Sequence, residues 1–262
     1  FFDQTNWNTS VGYGKKAKVV TTVAMFYDLD DPNSFVKDVK SILASDGIWL
    51  CQLMTARPML DTNDLGNVIH EHIEYYGLRQ IAWILRSAGL RVVDIEFNDI
   101  NGGSFSVTAT PIRSGINSNS QNVEQLISQE VSLGYGDLEP LLHFSQQVSK
   151  SNANLVKQLE ILKSQNQTIL GLGASTKGNV ILQYAGLDTS TIECIGDVNP
   201  DKWGCFTPGS WIPIVSESEA LNCNPDHLLV LPWHFREFFL TSTNFMGRKL
   251  IFPLPSFEIK QR

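Results

Sequence analysis

The sequence predicts two α/β units in tandem with a helical stretch between them. Three observations carry this reading. Strand, helix and strand patterns follow one another with short links from Lys18 to Leu53, the grammar of a parallel sheet. The same alternation restarts at Thr168. Between the two runs lies a Ser/Asn/Gly-rich segment, Ser114 to Asn122, followed by helical periodicity. The expected division is residues 1–116, then residues 117–262 as helical linker plus C-terminal α/β domain.

Lys18–Phe26 (KVVTTVAMF) is β-branched and apolar, which suits a buried strand. A turn at Tyr27–Pro32 leads to a helix over Phe35–Ala44, capped by Asn33 or Ser34, with Phe35, Val36, Val39, Ile42 and Leu43 on one face. Asp46-Gly47 breaks it, and Ile48–Leu53 reads as a second strand. An irregular polar segment, Asp61–Gly77, precedes a helix over Leu78–Ala88, closed by Gly89. Leu90–Asn98 and Ser104–Ile112 read as strands; the Asn101-Gly102-Gly103 link makes them antiparallel. A helical region broken at Gly134-Tyr135-Gly136 continues as a long helix, Leu138–Ser164. Strands at Thr168–Leu172, Thr191–Gly196 and His227–Leu231 follow, with a helix over Lys177–Tyr184 and a last strand at Leu250–Phe252.

The net charge of −7 over 262 residues leaves no basic stripe to replace phosphate counterions, so nucleic acid is not an expected partner. No run approaches about 18 uninterrupted apolar residues, so neither a membrane span nor a signal peptide is expected. Cys51, Cys194, Cys205 and Cys223 form no CxxC pair or structural zinc pattern; they read as reduced thiols, which suits a cytoplasmic protein. The start at Phe1-Phe2-Asp3, without methionine, reads as a trimmed reading frame.

Val68–Tyr76 gathers two imidazoles, two carboxylates and two phenols in nine residues. His70 and His72 are two apart, which does not meet the HExxH spacing that aligns two ligands on a helix, so no metal is expected. An acid/base role fits better: an imidazole titrates near neutrality, and an adjacent carboxylate such as Glu71 supports its protonated form. A polar surface loop explains the same residues equally well.

Gly171-Leu172-Gly173-Ala174-Ser175-Thr176-Lys177-Gly178-Asn179 is a Gly-rich turn opening a helix, where backbone N–H groups and the helix dipole favour an anion. It is no Walker A loop, and as a Rossmann fingerprint it carries Thr176 in place of the third glycine. Asp197 ends the next strand, about where a ribose-binding acid would sit. Asn199, Lys202, Pro208 and Gly209 occupy the following loop, and His234, between Trp233 and Phe235, reads as packed.

Several of these motifs occur together and in order: Met25–Pro32, His70–Tyr76, Asn101–Phe105, Gly173–Asn179, Asn199–Gly204 with Thr207-Pro208-Gly209, and Pro232–Phe235. The ordered set resembles the sugar-nucleotide C-methyltransferases, over nearly the whole chain. The resemblance implies the C-terminal half of a class I methyltransferase (Rossmann-like) sheet followed by a second Rossmann-like domain. It implies His72 as a base that removes a proton beside a ketone, with Glu71 as its partner or a sugar ligand. His70 flanks that pair. Tyr75 and Tyr76 stand as hydroxyl donors, with aromatic packing the competing role. Gly103, Ser175, Thr176, Lys177, Asn179 and Lys202 are the implied contacts to a nucleotide-sugar substrate. The chain departs from the family at Ile69, Asp28 and Gln52, where a tyrosine, a histidine and a glutamate are common.

S-adenosylmethionine is the implied methyl donor. Neither a glycine-rich donor loop nor its following acidic residue precedes Lys18, and the family's N-terminal cysteine-rich zinc domain has no counterpart. Only Ala24, Met25 and Phe26 are expected to reach the donor, at its methionine end, so weak donor binding by the chain alone is the expectation. Competing functions are an NAD(P)-dependent oxidoreductase using Gly171 and Asp197, and a non-catalytic nucleotide-sugar-binding module. An incomplete sheet with an open edge also predicts a homo-oligomer.

Overall fold

The computed structural model describes residues 2–10, 13–98 and 102–262. Asn101, part of the expected tight link, lies outside them. The chain divides into two compact units, one of Phe1–Leu60 with His70–Pro140 and the other of Asp61–Ile69 with Leu141–Arg262. The sequence reading had set the division after residue 116. The helix over residues 120–132 falls in the first unit because Val123, Leu126 and Ile127 pack into that unit's core.

In the first unit, a short helix α1 (Gln4–Thr9) precedes strand β1 (Ala17–Val23) and helix α2 (Pro32–Ile42). Asp31, rather than Asn33 or Ser34, caps α2: its carboxylate accepts the Ser34 N–H at 3.0 Å, and Pro32 opens the helix with its φ already set. Val36, Val39 and Ile42 are its buried stripe. Strand β2 (Leu43–Met54) takes over directly, with an irregular register against β1 between Ala17 and Val19. Helix α3 (Ala56–Thr62), helix α4 (Leu78–Ser87), strands β3 (Leu90–Asn98) and β4 (Ser104–Pro111), and helix α5 (Ser120–Ser132) complete the elements.

The sheet order is β1-β2-β4-β3. β1 and β2 are parallel; β2–β4 and β3–β4 are antiparallel, as the short link between β3 and β4 demands. α4 buries Leu78, Ile81, Ile84 and Leu85, each worth about 1.5–3 kcal/mol when fully removed from water.

The second unit contains the 27-residue helix α6 (Leu138–Ser164), strand β5 (Ile169–Leu172) and helix α7 (Thr176–Ala185). Strands β6 (Ile195–Asp197) and β7 (Ile214–Ser216), helix α8 (Glu217–Asn222), strand β8 (His227–Val230), helix α9 (Arg236–Thr241) and strands β9 (Lys249–Phe252) and β10 (Glu258–Gln261) follow. Its sheet order is β10-β9-β8-β5-β6-β7, parallel except for β10. Counted from β5, this is the doubly wound order, with the reversal between β5 and β8. All four residues of β5 and of β8 are buried, as a sheet covered on both faces requires. Gly173 leaves β5 at φ +77°, and a Cβ there would lie 2.7 Å from the ring of Pro232, which follows β8.

Among the described residues, no helix is long and apolar enough to cross a membrane.

Candidate functional site

The His70–Tyr76 segment of the first unit is pinned at its middle and at its C-terminal end. The carbonyl of Tyr27, in a short 3-10 turn after β1, accepts the N–H groups of Ile73 (3.0 Å) and Glu74 (3.1 Å). The Tyr76 carbonyl accepts the Ala56 N–H at 3.0 Å. This brings the His72 ring edge-on to Tyr27, with centroids 4.6 Å apart. His70 and Glu71 form an exposed turn, and His72 is half-buried.

Asp28, next to Tyr27, is the residue that the sequence reading treated only as a departure. Desolvation raises its carboxyl pKa, the His72 imidazole pulls it down, and the Glu71 carboxylate raises it. Asp28 therefore lies within electrostatic reach of both the His72 imidazole and the Glu71 carboxylate. A carboxylate just past the C-terminal end of a parallel strand is the signal that could have singled it out.

Tyr76 goes elsewhere. It is 5% exposed, and its ring packs on Phe26 with centroids 5.3 Å apart. Burial first, then Glu74 and Cys51, push its phenol up to about 12. Its hydroxyl has no hydrogen-bond partner among the described residues, so the structure gives Tyr76 a packing role rather than a place at the imidazole.

The strand ends beside this segment hold the expected donor contacts. Ala24 sits at φ +52°, unusual for a non-glycine residue, and its N–H donates to the Gln52 carbonyl at 3.0 Å. Ala24 and Met25 are half-buried and accessible. Phe26 is 2% exposed and packs against Phe35, Trp49 and Tyr76, so its side chain serves the core and not a ligand. A methionine end fits Ala24 and Met25, which offer an apolar side chain and a backbone bend. Gln52 is buried and donates to Ser104 Oγ (2.8 Å), which in turn donates to Asn98 Oδ1 (2.7 Å). Gly103 has φ +121°, and a Cβ would meet Pro58 at 2.6 Å; close packing explains why this position is glycine.

In the second unit, several polar groups of the Gly-rich turn are engaged within the protein. Ser175 caps α7, its hydroxyl accepting the Gly178 N–H at 3.0 Å. Lys177 is ion-paired with Asp64 (Nζ–Oδ2 3.1 Å), with side chains only 14% and 2% exposed. Lys202 donates to the Ala174 carbonyl (2.9 Å) and to Asp197 Oδ2 (3.2 Å). Asp197 also accepts the N–H groups of Ala174 (2.7 Å) and Asn199 (2.8 Å), so both its oxygens are engaged within the loop rather than offered to a ribose. Thr176 is exposed, and the Asn179 Oδ1 atom is buried without a hydrogen-bond partner among the described residues. His234 packs between Trp233 and Phe235, as read from sequence; burial first, then Lys177, push its imidazole down to about 4. Among the described residues, no group of His, Cys, Asp or Glu is arranged to hold a metal ion.

Sequence comparison finds matches over both parts of the chain. The family model for the C-methyltransferase C-terminal domain matches residues 99–255, and the chain belongs to that family. A methyltransferase-domain model matches residues 2–95. Among characterised relatives, the chain is 28% identical over 242 residues to the C-methyltransferase NovU of Streptomyces niveus, covering 91% of this chain and 57% of NovU. The chain thus spans little more than half the length of that relative. Two solved structures show weaker likeness. The complex between the Haloferax volcanii Trm112 methyltransferase activator and a putative methyltransferase is 14% identical, covering 37% of this chain and 55% of that one, with a TM-score of 0.32. An O-methyltransferase family protein from Burkholderia thailandensis is 20% identical, covering 44% of this chain and 34% of that one, with a TM-score of 0.32. The family assignment rests on the sequence matches.

Proposed function

We propose that this chain carries the acceptor-activating part of an S-adenosylmethionine-dependent C-methyltransferase whose substrate is a nucleotide-linked keto-sugar. The observation that carries this reading is the half-buried His72 imidazole, seated against Tyr27 and within electrostatic reach of the Asp28 carboxylate.

Carbon beside a ketone is a poor nucleophile until it loses a proton. His72 takes that proton, and Asp28 and Glu71 stabilise the imidazolium that results. The electron pair left on carbon spreads onto the ketone oxygen, where nearby donors hold the charge. S-adenosylmethionine, when bound, would supply an electrophilic methyl group: the carbon–methyl bond would form as the sulfonium–methyl bond breaks, with S-adenosylhomocysteine leaving. Ala24 and Met25 would hold its methionine end. Support comes from membership of the C-methyltransferase family and from the likeness to NovU. The oxidoreductase alternative is disfavoured, because Asp197 is occupied by Ala174, Asn199 and Lys202.

The test is incubation of the protein with keto-sugar nucleotides in D2O, read by mass spectrometry with and without S-adenosylmethionine. Donor-independent deuterium uptake at the carbon beside the ketone, and a gain of one methyl with donor, are expected; both should fall by about 10²–10⁴-fold in His72→Ala. Undiminished deuterium uptake in His72→Ala would remove the imidazole from the mechanism.

A further inference from the structure

A cavity of about 390 Å³ lies in the first unit, between the N-terminal ends of α2 and α4. We infer that it is a binding site for an uncharged sugar ring, separate from the acceptor site at His72. The inference goes beyond methyl transfer and uses no property of the imidazole, which is not part of this lining.

Pro32 and Asn33, the first residues of α2, supply one wall. Arg79, Gln80 and Trp83 supply another; at spacings of three and four they share one face of α4, while Leu78, Ile81 and Leu85 turn to the core. Tyr76, two residues before α4, closes the lining from the buried side. Every one of these residues belongs to the first unit.

Three features of the lining select the ligand. Trp83 presents an indole that is 64% exposed, a flat apolar surface on which the C–H face of a sugar ring can lie. The Tyr76 ring packs on Phe26, but its hydroxyl is buried with no hydrogen-bond partner among the described residues, a costly state that a ligand hydroxyl relieves. Burial keeps that phenol protonated at neutral pH, so it can donate as well as accept. Gln80 adds a side-chain amide, whose Oε1 likewise has no partner among the described residues. Phenol and amide each donate and accept, as sugar hydroxyls do. Finally, Glu74 and Arg79 contribute one charge of each sign, so the lining selects neither an anion nor a cation. A phosphate or a carboxylate would meet the Glu74 carboxylate as well as the guanidinium.

Saturation-transfer NMR with methyl β-glucopyranoside, an uncharged sugar probe, tests the site on the protein, with adenosine as a heteroaromatic comparison. Saturable glucoside binding with Kd on the order of 1 mM is expected. Trp83→Ala, at an exposed position, should weaken it by about 10-fold or more. Tyr76→Phe keeps the ring on Phe26 and should weaken it by about 10-fold, while His72→Ala leaves it within about 2-fold. Without sugar, the urea midpoint of Tyr76→Phe should equal or exceed that of the wild type, and added glucoside should raise the wild-type midpoint more than the variant's. The site is overturned if the glucoside does not saturate, if Trp83→Ala leaves its binding intact, or if adenosine binds in its place. Loss of binding in His72→Ala would overturn it too, by putting the sugar at the base. So would a lowered midpoint in Tyr76→Phe without sugar, which would show the hydroxyl already engaged inside the protein.

Discussion

Glu130 offers a test in which charge and hydrogen bonding pull in different directions. It lies on α5, is 1% exposed, and its Oε2 accepts the Leu78 N–H at 2.6 Å, capping α4 just after the Tyr76-Gly77 end of the candidate site. A Cβ on Gly77 would stand 2.9 Å from the same oxygen, so the close approach depends on that glycine. Glu130→Ala loses a bond to a charged acceptor, about 1.5–3 kcal/mol, and a buried methylene, about 0.8 kcal/mol. The expected loss in unfolding free energy is about 2–4 kcal/mol. Burial raises the carboxyl pKa, while the Leu78 N–H and Arg57 draw it back. The folded state therefore holds the proton more tightly than the unfolded chain. The stability this gives is complete below the unfolded value near ~4.3 and is lost as pH rises through the folded value. Glu130→Gln keeps an acceptor for Leu78 and removes the buried charge. At pH 8 it should match or exceed the wild type, and the advantage should vanish by pH 4. Urea unfolding at both pH values, read from hydrogen exchange of β2 and β4 amides, measures this. Equal destabilisation of the glutamine and alanine variants at pH 8 would refute it, and would mean that attraction to Arg57 outweighs desolvation.

Further outcomes are expected elsewhere. Gly103→Ala should destabilise the first unit by about 1–3 kcal/mol through its contact with Pro58 and its φ of +121°, measured as a shifted urea midpoint. Ala24→Gly relieves a left-handed backbone and should raise stability by up to about 1 kcal/mol while lowering methyl transfer, if that bend shapes the donor end. A rise in both would separate the strain from function. His234, pushed down to about 4, should show no imidazole titration by NMR between pH 5 and 8. Its neutral form favours the folded state, so that contribution is present above the unfolded value near ~6.5 and fades as pH falls toward the folded one. His234→Phe should therefore flatten the acid limb of second-unit stability.

The elements that repeat a local pattern over many residues were legible. α6 matches its expected bounds, as does β3, because helical periodicity and β-branched alternation are written into consecutive residues. β7 and β10, of three and four residues, lacked the length to show a period. The join from α2 to β2 at Ile42–Leu43 was misread because Leu43 extends the helical stripe equally well. At the site, the dense titratable run drew attention to His72, but its neighbours come from distant chain positions. Tyr27 and Asp28 meet it from 45 and 44 residues upstream, and Asp64 meets Lys177 from 113 residues away. Tyr76 stands four residues beyond His72, and only the core packing of Phe26 shows that its phenol faces inward.

Doubly wound sheets bind dinucleotides where two neighbouring strands send their connections to opposite faces, because the diverging chains leave a gap there. In this protein the glycine after β5 and the proline after β8 lie against each other at that spot. Both oxygens of Asp197, at the end of β6, are engaged by Ala174, Asn199 and Lys202, which leaves no acid at that strand end for a ribose. A fluorescence titration with NADH should accordingly show no saturable binding. The second unit thus has the strand order of a dinucleotide fold, with a glycine and a proline in close approach where that order reverses and its strand-end acid held by its own loop.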